Sequence, residues 1–315
     1  MLVRVGERLR TLETPDGRTL AYATWGDPDG FPVLSLHGTP GCRFNRWPNE
    51  DVYTRAGVRY VTHDRAGYGQ SDRHHGRSVA DEAADVAALA DELGLDRFGV
   101  TGGSGGGPHS LACAALLSDR VVRAVCAVGV APFGAHGLEE DDWLAGMDEE
   151  NVKEFRNARA GEDVLTPSLE ELQKKMEARV AVDPSTVLDD FELSESDRAE
   201  LARAEVQKLI QETTFEQTAN GVGGWVDDNL AFLKPWGFDV SSISVPVLVR
   251  YGLTDVLVPP AHGEWLAANV PGCLVEIETS AGHLGENPEV QIASDARWLS
   301  EGLPPDAAHA PSEAL

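Results

Sequence analysis

The chain has 315 residues and a formal net charge of −26 at pH 7. Such an excess of acidic residues excludes nucleic acid and anionic membrane surfaces as favoured partners, and it makes neutral or cationic small molecules better suited as substrates than anionic ones. No apolar run approaches the ~20 residues that cross a bilayer. The four cysteines are scattered singly and the N-terminus has no secretion-signal pattern, so the expected compartment is the cytoplasm.

Short apolar runs alternate with helical stretches along most of the chain. Residues 11–22 are typical of two strands joined by a Pro-Asp-Gly turn. Further buried strands are predicted near residues 32–36, 58–63, 97–101, 121–128, 245–251 and 273–278. Helices are predicted near residues 45–56, 78–93, 104–117, 260–269 and 289–301. This alternation indicates an α/β fold with a mostly parallel eight-stranded sheet and an antiparallel start.

A glycine-rich turn after the fifth predicted strand contains Ser104, in the run Gly102-Gly103-Ser104-Gly105-Gly106. A G-x-S-x-G turn between a strand and a helix predicts a nucleophile elbow, because the turn is too sharp for a side chain at the first or last glycine. The start of the next helix places free N–H groups beside the serine hydroxyl. Phosphate-binding loops are the alternative, but G-x-G-x-x-G fails in every register and no Lys-Ser or Lys-Thr pair follows.

Two later loops offer candidates for the base that this serine needs and for the group that orients the base. Asp255 follows the predicted strand at 245–251, and His283 follows the predicted strand at 273–278. Both lie at the carboxyl ends of parallel strands, the edge where such sheets keep their chemistry. Taken alone, Asp255 could cap a turn and His283 could be an ordinary loop histidine. The chain order Ser, Asp, His favours a catalytic triad.

The loop after the third predicted strand reads His37-Gly38-Thr39-Pro40-Gly41 and can bring a backbone N–H group to the serine. We assign this N–H to Thr39, with Gly38 and Gly41 as alternatives. The N–H of Gly105 would be the second donor of an oxyanion hole.

Together these motifs resemble the α/β-hydrolase superfamily, over essentially the whole chain. The run Asp64-Arg65-Ala66-Gly67-Tyr68-Gly69-Gln70-Ser71 is also similar to the family's loop after the fourth strand. The resemblance implies a serine hydrolase whose triad is Ser104, Asp255 and His283, with no cofactor. No metal-ligand spacing of the C-x-x-C or H-x-x-x-H type occurs, so no metal site is predicted. The H-G-x-P wording, which resembles that of epoxide hydrolases, predicts a cis Thr39–Pro40 peptide bond.

The alternation of strands and helices stops after the sixth strand. Residues 134–238 are helical in pattern, and their acidic residues outnumber the basic ones by more than two to one. The resemblance implies that such an insertion forms a helical cap over Ser104, between core segments 1–133 and 239–303. The small and polar residues at 304–315 predict a disordered tail.

The resemblance and the motifs together predict hydrolysis of a small carboxylic ester or lactone through an acyl-enzyme intermediate. Gly38 of the core and Trp225 and Trp143 of the cap are the expected substrate contacts. Epoxide hydrolases and haloalkane dehalogenases are disfavoured, because they use an aspartate nucleophile where this chain has Ser104.

Amidases, carbon–carbon bond hydrolases and cofactor-free perhydrolases stay open, together with two alternatives that make specific predictions for this chain. Proline iminopeptidases share the Gly-Gly-Ser elbow and an acidic cap that binds the substrate's α-amine, for which Asp227, Asp228 and Glu216 are the candidates here. In those enzymes the loop that corresponds to residues 37–41 usually reads H-G-G-P-G, with glycine at the position of Thr39. Their serine elbow usually carries tryptophan at the position of Gly105. The second alternative is a non-hydrolytic receptor or biosynthetic protein, since the fold serves such roles as well.

Overall fold

One sheet runs through the core of the protein, in the strand order β1-β2-β4-β3-β5-β6-β7-β8. The computed structural model describes residues 10–285 and 287–302. The strands are β1 (Arg10–Glu13), β2 (Thr19–Gly26), β3 (Phe31–Leu36), β4 (Val58–His63), β5 (Phe98–Gly103), β6 (Val121–Ala127), β7 (Val247–Gly252) and β8 (Leu274–Glu278). Strand β2 pairs antiparallel with β1 and β4, and every later pairing is parallel. The predicted eight-stranded fold is therefore confirmed.

Helices cover both faces of this sheet. They are α1 (Asp51–Arg55), α2 (Glu82–Glu92), α3 (Gly106–Leu116), α4 (Glu140–Leu144), α5 (Glu149–Ala160), α6 (Glu162–Val180), α7 (Glu195–Leu201), α8 (Ala204–Thr213), α9 (Gly223–Phe232), α10 (Pro260–Asn269) and α11 (Pro288–Glu301). Side chains alternate along β3, so Leu34 belongs to one apolar cluster with Leu89 of α2 and Leu111 of α3, whereas Val33 belongs to a second cluster with Leu299 of α11. Burial on both faces explains the nearly continuous apolar runs of the parallel strands.

The helix predicted at residues 45–56 is wrong over its first half, since α1 covers only Asp51–Arg55. Pro48 has no N–H group to donate. The N–H of Trp47 donates to the hydroxyl oxygen of Tyr53 at 2.6 Å, and the Asn45 side chain accepts from the N–H of Cys42 at 2.7 Å. Side chains thus satisfy the backbone here and replace the hydrogen bonds of a helix.

Helices α4 to α9 all lie between β6 and β7, which confirms the predicted helical insertion after the sixth strand. The predicted limits of the insertion at 134 and 238 fall outside these helices. The division into a cap and two core segments stays a prediction, and the predicted tail at 304–315 lies outside the described residues.

A buried carboxylate on α9 joins the inserted helices to the core. Asp228 is fully buried and accepts hydrogen bonds from Arg65 at 2.7 Å, from Arg77 at 2.6 Å and from the Tyr68 hydroxyl at 2.7 Å. Burial alone would raise the pKa of Asp228, but the two guanidinium groups hold that pKa well below its usual value. Asp228 is therefore a charged anchor between α9 and the loops that follow β4.

We expect Asp228→Asn to lower the free energy of unfolding by about 3–5 kcal/mol, because Arg65 and Arg77 would keep buried charges without their carboxylate. Urea denaturation followed by tryptophan fluorescence measures this change. Glu170→Gln, on the exposed side of α6, is the control and should change the free energy by about 0.5 kcal/mol or less. An equal effect of both substitutions would contradict the anchoring role.

Candidate active site

Ser104 lies in the sharp turn between β5 and α3, with a positive φ of 54°. A Cβ atom on Gly102 would lie 2.1 Å from the carbonyl oxygen of Gly106, and one on Gly106 would lie 2.1 Å from that of Leu36. The close approach of these backbones requires glycine at both positions. The turn therefore holds a strained serine at the N-terminus of a helix, as the G-x-S-x-G pattern predicts.

Asp255 and His283 meet at the carboxyl ends of β7 and β8. Nδ1 of His283 lies 2.8 Å from Oδ2 of Asp255. The other oxygen, Oδ1, accepts the backbone N–H groups of Leu257 at 2.8 Å and Val258 at 2.9 Å. These bonds fix the carboxylate, so it orients the imidazole and leaves Nε2 of His283 available to the cavity.

The electrostatic surroundings of His283 favour its protonated form. Burial lowers the pKa of the imidazole, but the charge and hydrogen bond of Asp255 and the charge of Asp197 outweigh this effect. The pKa of His283 consequently lies above its usual value of 6.5. The surroundings of His283 therefore stabilise the imidazolium ion that forms when the side chain takes up a proton.

Two residues at the start of α7 accept hydrogen bonds from the backbone on both sides of His283, and together they form a clamp on this loop. Oδ1 of the fully buried Asp197 accepts the N–H of Leu284 at 2.7 Å, and Oγ of Ser196 accepts the N–H of Gly282 at 2.8 Å. Sequence reasoning missed this clamp. The spacing of Ser194 and Asp197 indicates a helix start, but nothing in the sequence shows that its carboxylate reaches a loop nearly ninety residues away.

The loop that follows β3 lies against the serine turn. A Cβ atom on Gly105 would come within 3.1 Å of the Thr39 backbone nitrogen and 2.1 Å of its Oγ1. Among the described residues, the N–H groups of Thr39 and Gly105 donate to no other group. The predicted cis Thr39–Pro40 peptide bond is confirmed.

Arg65 aligns this loop from behind and was not predicted as a site residue. Its guanidinium is fully buried and donates to the carbonyl oxygens of His37 and Gly38, the latter at 2.9 Å. The hydroxyl of Thr39 donates to Asp228 at 2.6 Å. The His37 and Gly38 carbonyls and the Thr39 hydroxyl are thus fixed by buried charged groups, which hold this loop in place beside the serine turn.

Ser104 and His283 line one cavity of about 320 Å³ beneath the inserted helices. The Ser104 hydroxyl forms no hydrogen bond to another described residue, so it is open to a proton acceptor in that cavity. Of the expected substrate contacts, Gly38 and Trp225 line the cavity.

Trp143, the third expected contact, does not line this cavity. It is fully buried, donates through Nε1 to the carbonyl oxygen of Ala131 at 2.8 Å and packs edge-on against Phe133, Phe155 and His262. Trp143 thus stabilises the junction of α4 with the core.

The three carboxylates considered as amine ligands are engaged elsewhere. Asp227 pairs with Arg73 at 2.8 Å, Glu216 pairs with Arg43 at 2.8 Å, and Asp228 holds the anchor described above. None of the three lines the cavity.

Within residues 10–285 and 287–302, no group of three or more His, Cys, Asp or Glu side chains is arranged to hold a metal ion. None of the helices there is both long and apolar enough to cross a membrane.

Comparison with known proteins gives consistent matches. A family model described as "alpha/beta hydrolase fold" matches residues 32–285. A non-heme chloroperoxidase of Streptomyces lividans is 31% identical over 80% of this chain and 84% of its own length. A proline iminopeptidase of Xanthomonas citri is 37% identical, but only over 33% of this chain and 34% of its own.

Among solved structures, the enol-lactonase of Burkholderia xenovorans LB400 superposes with a TM-score of 0.64 and 19% identity, over 92% of this chain and 99% of that one. At this identity the likeness shows the fold alone. The family model and the long relative together cover the whole site, and the chain belongs to the alpha/beta hydrolase fold family.

Proposed function

We propose that this protein is a serine hydrolase that cleaves a small carboxylic ester or lactone. One observation carries the proposal: a strained serine at a helix N-terminus lines the same cavity as a histidine that is hydrogen-bonded to a buried aspartate. This is the constellation that acyl transfer through a covalent intermediate requires.

In the proposed reaction, His283 Nε2 takes the proton of Ser104 as Oγ forms a bond to the carbonyl carbon of the substrate. The carbonyl oxygen becomes an oxyanion, to which the N–H groups of Thr39 and Gly105 donate. The C–O bond to the leaving alcohol then breaks, and His283 gives that oxygen the proton. Water, activated by His283, releases the acid from Ser104 in the same way.

The walls of the cavity support the charge class proposed for the substrate. These are mostly apolar, with contributions from Phe155, Met176 and Phe191, and no lysine or arginine is among the described residues that line them. A carboxylate or phosphate on the substrate would find no counter-ion there. This supports neutral or cationic substrates.

Two features favour an ester or lactone over a peptide. Asp227, Asp228 and Glu216, the carboxylates expected to bind a peptide's α-amine, are each paired with arginine and lie outside the cavity. At the elbow, the side chain of Thr39 fills the space that a side chain at Gly105 would need. Both features separate this chain from the iminopeptidase pattern.

A fluorophosphonate probe tests the nucleophile directly. We expect the label on Ser104 of the wild-type protein and its loss in Ser104→Ala, together with loss of p-nitrophenyl ester turnover, since the acyl-enzyme would have no attachment atom. Peptide mass spectrometry locates the label. Ser110→Ala is the control, because Ser110 lies on the following helix α3 with its hydroxyl within hydrogen-bond distance of the Gly107 and Val125 carbonyls, and should not react.

The same experiment separates the alternatives. Preference for p-nitrophenyl acyl esters over prolyl-p-nitroanilide supports the ester hydrolase, and the reverse would support the aminopeptidase. A folded protein with neither label nor turnover would contradict both and favour a receptor or another non-hydrolytic role.

Asp255→Asn should reduce kcat by about 10⁴-fold, because the imidazole loses the partner that orients it and stabilises its charge. Activity needs neutral His283, so kcat/KM rises as pH rises through the raised pKa of this group. Loss of the Asp255 charge lowers that pKa, and the acidic limb of the pH–rate profile should move to lower pH. An unchanged limb would show that His283 is not the base.

Asp197→Ala should lower kcat roughly 10-fold to 100-fold with a smaller change in KM, because the loop that carries His283 loses its clamp. Asp197→Asn retains an oxygen acceptor for Leu284 and should recover much of kcat, while its acidic limb shifts to lower pH. Steady-state kinetics across pH measure both effects. Glu195→Gln, exposed on the same helix, should match the wild type.

A further inference from the structure

One carboxylate, that of Glu154 on α5, is present among the described residues that line the cavity. The other described lining residues are apolar or uncharged, apart from His283. A single acidic group in such a wall favours a ligand that brings a positive charge, because unpaired charge is costly away from water.

Two side chains of α9 hold Glu154 in place. Its Oε1 accepts Nε1–H of Trp225 at 2.7 Å and Nδ2–H of Asn229 at 2.7 Å. Both donors are buried, and both residues also line the cavity. Oε2 accepts from no described residue, so one oxygen of a fixed carboxylate remains for a ligand.

No lysine, arginine or histidine of the described residues forms an ion pair with Glu154. In this it differs from Asp64, Asp85, Asp227 and Asp228, each of which pairs with an arginine. Burial accordingly raises the pKa of Glu154 to about 7, although the Asn229 and Trp225 hydrogen bonds oppose the rise. A cation placed beside Glu154 would supply the missing counter-charge.

We infer that Glu154, held by Trp225 and Asn229, binds a cationic group, such as an ammonium, on the acyl part of the substrate. This inference rests on the proposed ester hydrolysis at Ser104. The subsite lies on the side of the inserted helices and accepts ammonium-bearing esters in preference to neutral esters of the same shape.

The ionisable groups around Glu154 lie on three sides. Glu150 and Lys153 belong to the same helix, and Glu171 and Lys175 of α6 share a surface pocket with it. His283 lies in the cavity. Glu150 adds to the rise in the pKa of Glu154, in the same direction as burial.

The test compares pairs of p-nitrophenyl esters of equal shape. In each pair the acyl chain ends either in a trimethylammonium group or in the tert-butyl group of the same size, over a series of chain lengths. Above the pKa of Glu154, the wild-type kcat/KM should be roughly 10-fold or more higher for the best cationic ester than for its neutral partner. Glu154→Gln retains the acceptor Oε1 and removes the charge, so this ratio should fall to one or below.

The ratio of kcat/KM for the cationic ester to kcat/KM for the neutral ester can also be followed against pH in the wild-type protein. As pH falls through about 7, Glu154 takes up a proton and the preference should disappear. The titration of His283 affects both esters of a pair alike and cancels in the ratio. Glu150→Gln, the control, removes the same charge from α5 outside the cavity and should retain the wild-type ratio.

A ratio near one in the wild type, or an equal ratio in Glu154→Gln, would overturn the subsite. The proposed function would still stand if Ser104 carried the fluorophosphonate label and neutral esters were turned over. Failure of labelling and of all ester turnover would instead remove the proposed function. The two results are therefore distinguishable.

Discussion

The carboxylate of Asp228 joins parts of the chain that are far apart in sequence. It accepts hydrogen bonds from Arg65, from Arg77 and from the Thr39 hydroxyl, while its own helix belongs to the insertion after β6. The charge of a buried carboxylate is stable only while its cationic partners stay in place. Three features consequently depend on one another: the position of α9, the alignment of the loop after β3 and the positions of the two guanidinium groups.

The inserted helices therefore contribute residues to the candidate site as well as covering it. One of them, α7, clamps the backbone around His283 through Asp197 and Ser196. Others form the cavity wall, where Glu154 contacts Trp225. In the proposed reaction the core supplies the reacting groups, and the insertion would orient the base and contact the substrate. A displacement of the insertion would then alter both rate and specificity.

Sequence patterns predicted the parts of the site that depend on short-range constraints. The elbow around Ser104 follows from the collisions that side chains at Gly102 and Gly106 would suffer. The positions of Asp255 and His283 follow from strand order, because parallel strands end at one edge of a sheet. Trp143 lies outside the cavity, and its sequence context could not show this, because an aromatic side chain in a helix does not reveal which neighbour buries it.

The sequence by itself determined the α/β fold, the insertion after the sixth strand and the order of the three candidate catalytic residues, because strand and turn patterns arise from local sterics and burial. Only the tertiary structure decided which carboxylates are paired. Asp227 and Glu216 form ion pairs with arginines, whereas Glu154 lies in the cavity without a cationic partner among the described residues. Pairing depends on distances between segments that packing alone brings together, and a sequence pattern carries no such distance.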